Sequence, residues 1–383
     1  HALLVFTGSN ATAIGTNAAD AATTATNLTA VGHNALGACT EGVNNTAVGR
    51  MSLALLVGTG TSAGTGGDNN VVMGSYAGYS TTGSRNTFLG RDAGLYATTT
   101  DDCIAIGNEA LTGPSDTKAT GNKSIAIGNY ALDATTTGYE NVAIGHSAGT
   151  AINTGYRNVL IGRETGGACT DNYDNIAIGN YAFDAANTGE HDNIAIGVYA
   201  LSSETSGSDG IVAIGSDALK NQNRDSSRNT AVGYLALTNL GNGVDFGGVR
   251  NTALGYNAGG SGVFGGTTDG GSNVKGSNNT VLGYASGHNI TYAQNNTLVG
   301  SNSGLALLTG DANTVVGGYA GQALTSGHSN VLIGKDAGAA LTDNISNVAI
   351  GINALDAANT AEHYNTAVGS HTLSAETSGA DGC

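Results

Sequence analysis

An all-β fold, a parallel β-roll or β-solenoid of about 20 coils of mostly 17 residues, is what this sequence predicts, and three observations predict it. A short motif recurs twenty times: a β-branched residue, an apolar residue, an aliphatic residue, then Gly, as in Asn45–Gly49, Asn141–Gly145, Asn175–Gly179 and Asn330–Gly334. The motif glycines, which include Gly49, Gly145, Gly179 and Gly334, lie most often 17 residues apart and several times 18. The composition, with 62 Gly, one Pro, no Trp and 11% charged residues, fits neither collagen, which needs Gly at every third position, nor a coiled coil, nor a charged disordered tail.

Each position of the repeat, counted from the motif Gly as zero, has its own chemistry. Position −4 is Asn in 15 of the 20 repeats, Asn141 and Asn175 among them, with Ala11, Leu28, Cys103, Ser124 and Ile211 as departures. Asn tolerates tight-turn backbone, and stacked Asn side chains form amide hydrogen-bond ladders. Position −3 is always β-branched and −1 always aliphatic, as at Ile144 and Ile178. Branched side chains suit a pleated strand, where −3 and −1 share one face and −2 takes the other. Position +3 is always small, and the residues beyond it are rich in Thr, Gly, Asp and Asn. That tail is long enough for a return strand and turns, and the Gly and β-branched density excludes a helix.

Positions −2 and +4 exchange volume. Where −2 is large, as at Phe88 or Leu160, +4 is Gly (Gly94, Gly166); where +4 is Leu or Phe, −2 is Ala, as in Ala30 with Leu36. Only the pairs Ala13–Ala19, Ala143–Gly149 and Ala253–Gly259 are small at both. Close-packed interiors penalise voids and overpacking alike, so the two positions share space across a thin coil or a subunit interface. Which of the two apolar faces is internal stays open at this point.

The period marks residues 1–383 as one continuous array, interrupted by insertions near 51–69, 112–122 and 235–279 that we expect to project as lateral loops. Leu373–Cys383 matches Leu201–Ile211, which runs straight into a strand, so a fragment of a longer array is expected. Asn175–Ile211 resembles Asn347–Cys383 at an offset of 172 residues, which points to growth by duplication.

Function classes narrow quickly. A net charge of −16 disfavours nucleic acid and anionic membranes as partners. No apolar stretch reaches the length of a membrane span, so none is expected in this segment. The eight His are scattered over repeat positions and no metalloprotease, hydrolase-elbow or phosphate-loop motif occurs, so neither an active site nor a cofactor or metal is expected. At ~4.8 Å per coil, Cys103 and Cys169 lie ~14 Å apart, beyond disulfide reach. No intrachain disulfide is expected, and bridges between chains remain open for Cys39, Cys103, Cys169 and Cys383.

Tandem strands such as NTAVG, NVAIG and KSIAIG (Lys123–Gly128) resemble the head domains of trimeric autotransporter adhesins over nearly the whole chain, and are similar to repeats of phage tail fibres. The resemblance implies a left-handed parallel β-roll with three chains about a common axis. The repeat here is longer than in the best-known heads, and no neck or coiled-coil stalk is visible. Two apolar faces on one thin coil independently call for a partner, because a stripe of this length exceeds what a monomer exposes. Twenty coils at ~4.8 Å give a rod of ~95 Å.

The expected function is therefore that of a non-enzymatic extracellular fibre, a homotrimeric shaft or adhesin head on a cell surface or virion appendage, with itself as principal partner and a surface glycan or receptor as target. The alternative is a tail-fibre segment binding a receptor or polysaccharide through its insertions, with Asp245, Phe246, Phe264 and Asp269 as contacts. Tyr residues after the motif (Tyr76, Tyr130, Tyr181, Tyr199, Tyr234, Tyr256, Tyr319) are candidates for stacking on sugars. An ice-binding solenoid ranks below these, since Thr at −3 alternates with Val and Ile and −3 is read as a core position. A tail-spike glycan hydrolase would need carboxylates converging beside an insertion.

Overall fold

The computed structural model describes residues 8–57, 67–186, 188–203, 209–222, 228–241, 248–260, 262, 276–357 and 363–375. They fall into two compact units, His1–Gly189 and Glu190–Cys383, and each is a parallel β-solenoid with no helix among the described residues. The described residues form twenty strands, β1 (Ser9–Ile14) and β2 (Thr26–Val31) of six residues and all others of three. Each covers positions −3 to −1. Neighbouring strands pair in strict repeat register, Val142 with Val159 and Ile144 with Ile161 in the first unit, Thr280 with Thr297 and then Thr314 in the second.

Among the described residues the expected return strand does not form. The chain comes back through turns that are themselves hydrogen-bonded from coil to coil: Ser147 N–H donates to Asn129 O at 2.9 Å, and Leu132 N–H to Ala148 O at 3.0 Å. The reason is visible in the backbone. Every coil carries left-handed residues at −5, +2 and +4, such as Glu140 (φ 57), Ser147 (φ 56) and Gly149 (φ 62) in one coil, or Tyr130 (φ 62) and Leu132 (φ 53) in another. Side chains with a branched Cβ resist this region. None occupies −5, +2 or +4 in any of the 20 repeats.

The motif Gly is required twice over. Gly145 has φ 143, and a Cβ placed on it would lie 2.3 Å from the carbonyl oxygen of Gly162 in the next coil. The same clash recurs along the column, down to 2.2 Å at Gly74 against Gly90. Successive coils thus touch backbone to backbone at this edge.

The internal face is the one bearing −2. The middle residue of every three-residue strand is buried, while its two neighbours are half-buried or exposed. The core is made of −2, +3 and +4, as in Ala126, Ala131 and Leu132, all at 0% exposure. This corrects the assignment of −3 to the core: Thr, Val and Ile at −3 point out, together with −1. The volume exchange takes place inside one coil, since a Cβ on Gly94 would meet the Phe88 ring at 2.6 Å and one on Gly166 would meet Leu160 at 2.9 Å.

A fourth core position, +7, is not evident from the repeat pattern. Leu56, Ile152, Leu240, Ile290, Leu307, Leu324 and Leu341 all occupy it and are fully buried. It explains a coil that is small at both exchange positions: Ile152 Cδ1 fills the space beside Gly149, 3.2 Å from where a Cβ would stand.

The −4 ladder forms as expected. Asn158 donates from its backbone N–H (3.0 Å) and its Nδ2 (3.1 Å) to Oδ1 of Asn141, and its Nδ2 also donates to Asn172 O at 2.7 Å. Asn175 repeats the pattern on Asn158, and in the second unit Asn279, Asn296, Asn313, Asn330 and Asn347 continue it. A buried amide is tolerable only when its donors and acceptors are met, which this arrangement achieves by repetition. Cys103 keeps one link, its N–H donating to Asn86 Oδ1 at 3.0 Å.

Candidate functional site

Gly49, Gly145, Gly179 and Gly334 all have φ between 134 and 143, Asn141 and Asn175 lie in the buried ladder, and Ile144 and Ile178 stand on the outward strand face. Asp245, Phe246, Phe264 and Asp269, together with the core of the 235–279 insertion, lie outside the described residues, as does Cys383. The 112–122 insertion is a short exposed turn in which Lys118 N–H donates to Pro114 O at 2.9 Å. It closes at buried Ala119, which bridges to Ala97.

The outward −3/−1 face is an apolar and Thr-bearing stripe. Its exposed members include Val71 (43%), Met73 (50%), Ile176, Ile178, Leu254 (46%), Leu282 and Ile350. In the second unit it carries Thr at −3 on five consecutive strands, Thr230, Thr252, Thr280, Thr297 and Thr314, held in register.

Tyrosines form ladders. Tyr139, Tyr156 and Tyr173 stack at 5.0 Å per step, nearly parallel, and Tyr256 and Tyr284 stack at 5.3 Å with Tyr234 tilted beside them. Rings stacked in this way cover each other's faces. The sugar-stacking expectation for Tyr234 and Tyr256 is therefore weakened, because a pyranose packs on a ring face. Tyr181 is covered by Arg163, whose guanidinium sits 5.3 Å from its centroid, and Tyr199 by the Lys220 ammonium at 4.6 Å.

Charges line up coil by coil at −5, where Arg85, Asp102, Lys123, Glu140, Arg157 and Asp174 alternate in sign. Arg85 pairs with Asp102 at 2.5 Å, Lys123 with Glu140 at 3.4 Å and Arg157 with Asp174 at 2.7 Å. Asp101 and Asp102 are thereby committed: Asp102 to Arg85, and Asp101 Oδ1 to the Ser84 N–H at 2.6 Å.

Three open clefts mark the first unit. One of about 350 Å³ borders the 112–122 insertion and is lined by Thr120, Lys123, Tyr139 and Glu140 among others. A second, about 370 Å³, holds two carboxylates, Glu164 and Asp184. Burial, and next to it the Glu164 charge, pushes the Asp184 carboxyl up to about 6. Asp133 is pushed up to about 6 by burial in the same way, with Glu109 as its acidic neighbour. Two carboxylates do converge here, but Glu164 accepts from Arg163 at 2.8 and 3.0 Å, and Glu109 from Arg91 at 3.0 Å. Each of these glutamates is thus engaged by an arginine at the surface. The third cleft, about 310 Å³, is lined by Tyr76, Tyr79, Asp92, Leu95 and Tyr96.

Cys39 and Cys103 are buried and form no disulfide; burial pushes both thiols up to about 11. Cys169 is buried at +7, its Sγ 3.8 Å from Phe183 O. Among the described residues no group of three or more His, Cys, Asp or Glu is placed to hold a metal, and no helix is long and apolar enough to cross a membrane. A scan of protein-family models finds no match to the chain, and a search of the curated proteins finds none either.

Proposed function

We propose that the protein is a non-enzymatic extracellular fibre segment, a shaft or adhesive head that assembles by packing its outward −3/−1 face against copies of itself. The observation that carries this reading is that face. A single-chain coil buries −2, +3, +4 and +7 and leaves Val, Ile, Leu and Met at −3 and −1 facing solvent on coil after coil. Soluble monomers rarely expose a contiguous apolar stripe of that kind. Resemblance to trimeric adhesin heads supplies the number three and the surface location. The tail-fibre reading shares the same assembly and differs only in what carries the rod.

Sedimentation of the purified chain tests it. A mass three times that of the chain is expected, and Ile144→Lys together with Ile178→Lys should give monomers that keep the β-type circular dichroism. A wild-type monomer at micromolar concentration would remove the proposal.

A second reading draws on the five-strand Thr row. Its outward placement is what an ice-binding face requires, although −1 there carries Val and Leu rather than a second Thr. Thermal hysteresis of the solution separates this reading from the first.

A further inference from the structure

The geometry points to a binding site for a trimethylammonium group, the cation shared by phosphocholine headgroups and N-trimethyllysine, in the cleft formed by Tyr76, Tyr79, Asp92, Leu95 and Tyr96. The cleft spans two adjacent coils, so it stands or falls independently of the assembly proposed above.

Three tyrosines, Tyr76, Tyr79 and Tyr96, line the cleft. Tyr76 and Tyr79 lie 5.8 Å apart at 64°, an edge-to-face arrangement. The Tyr139 and Tyr256 ladders differ, because their parallel rings occlude one another. An edge-to-face pair leaves ring faces for a cation, and the face of a phenol ring attracts one electrostatically. Tyr76 already does so on one side: the Arg50 guanidinium sits 4.7 Å from its centroid and donates to its hydroxyl at 2.6 Å.

The fourth wall is a carboxylate with little solvent. The Asp92 side chain is 18% exposed, and its basic neighbour, Arg91, approaches only to 3.4 Å. Arg91 is drawn away, its Nε donating to Asn108 Oδ1 at 2.8 Å and its Nη2 to Glu109 at 3.0 Å. Burial, offset by Arg91 and reinforced by Glu109, raises the Asp92 pKa. That shift works against the charged form, so the acidic character of the cleft rests on the placement of the Asp92 carboxylate beside the π faces, with Arg91 3.4 Å away.

The chemistry selects an alkylated cation. A primary ammonium must keep three N–H donors satisfied when it leaves water, and this cleft offers one carboxylate and phenol oxygens, of which that of Tyr76 already accepts from Arg50. A trimethylammonium has no N–H to satisfy; its methyls pack on aromatic faces and on Leu95 while its charge faces Asp92.

Saturation-transfer NMR on the full chain, with choline as ligand and neutral 3,3-dimethylbutan-1-ol as its uncharged isostere, tests the site. Choline should bind saturably and the isostere about tenfold more weakly or worse; Asp92→Asn, Tyr79→Leu and Tyr96→Leu should each weaken choline about tenfold. Circular dichroism reports whether each variant is folded, and Asp92→Asn, a near-isosteric change, decides the matter if a Tyr variant is not. Equal binding of the isostere, or full binding by Asp92→Asn, would overturn the proposal. Retention on phosphatidylcholine but not phosphatidylglycerol vesicles assigns a lipid source. Capture by a trimethyllysine peptide over its unmethylated form assigns a protein source. Binding by none of choline, vesicle and peptide overturns the site.

Discussion

The Phe88 ring occupies the space that a side chain at Gly94 would need, with a Cβ on Gly94 falling 2.6 Å from ring atom Cε2. In the next coil the same two positions read Ala105 and Leu111, both fully buried. The pair is a volume exchange within one cross-section of the coil, and it makes a strong prediction. Phe88→Ala alone should destabilise by about 3–5 kcal/mol, through the cavity it leaves. Gly94→Leu alone should cost about 1–3 kcal/mol, by overpacking. The double variant should recover most of the loss, since Leu at φ near +50 is already tolerated at Leu111 and Leu132. Denaturant titration of the four proteins measures the coupling, and additive losses would show that the residues do not share space.

The amide ladder should respond to interruption. Asn158→Ala strips Asn172 O of one donor and leaves Asn175 N–H without its acceptor. A loss of about 2–3 kcal/mol is expected, the order of an unsatisfied buried pair. Asn27→Ala removes a similar amide pair, Nδ2 to Asn44 at 2.8 Å, but on an exposed row, and should cost about 1 kcal/mol, mostly because Ala resists the left-handed backbone there (φ 56). Urea unfolding of the two variants side by side is the check.

Acidity works in two directions. Asp133 and Asp184 have pKa values raised from 3.8 to about 6, so the folded state holds their protons more tightly than the unfolded chain. Their stabilising contribution is complete below the unfolded value and is lost as pH rises through about 6. Both carboxyls are partly solvated, so the loss is about 1 kcal/mol each after screening. Asp102, lowered by its bond to Arg85, acts oppositely: its contribution is present above the unfolded value and fades as pH falls through its depressed pKa. Melting temperature should therefore decline between about pH 4 and 7, and Asp133→Asn with Asp184→Asn should flatten that slope and raise stability at pH 7.

Buried thiols should be inert. Cys39 and Cys103, with pKa values near 11, carry almost no thiolate at neutral pH. Peptide mapping after iodoacetamide treatment should find both unmodified in the folded protein and modified after urea. Rapid labelling of either in native conditions would show that its coil opens.

Much of this architecture was legible before any coordinates. The Ala30–Leu36 and Phe88–Gly94 exchanges located two facing core positions, and Asn at −4 announced the ladder, because packing and hydrogen bonding leave residue-type traces at fixed offsets. Three features leave no such trace. Position −3 looked like core since its Val and Ile are apolar, yet an apolar residue on a strand is equally at home on a face awaiting a partner. The +7 position hid because Cys39, Thr81, Ile152 and Gln222 all occupy it, and a thin interior accepts whatever volume −2 and +4 leave. The return strand was inferred from length alone, whereas the absence of branched residues from −5, +2 and +4 was the available sign of left-handed turns. The trimethylammonium cleft had no sequence signature, because Tyr76 and Tyr79 meet Asp92 and Tyr96 only when one coil is laid on the next.

The glycine column has an evolutionary corollary. Because Gly128, Gly145, Gly162 and Gly179 meet through bare backbone, the joint between two coils is the same whatever side chains surround it. Unequal recombination between two such units deletes or adds whole coils and leaves an equally good joint behind. Length becomes a heritable dial, set by copy number, and the 172-residue echo between Asn175–Ile211 and Asn347–Cys383 is the record of one such turn.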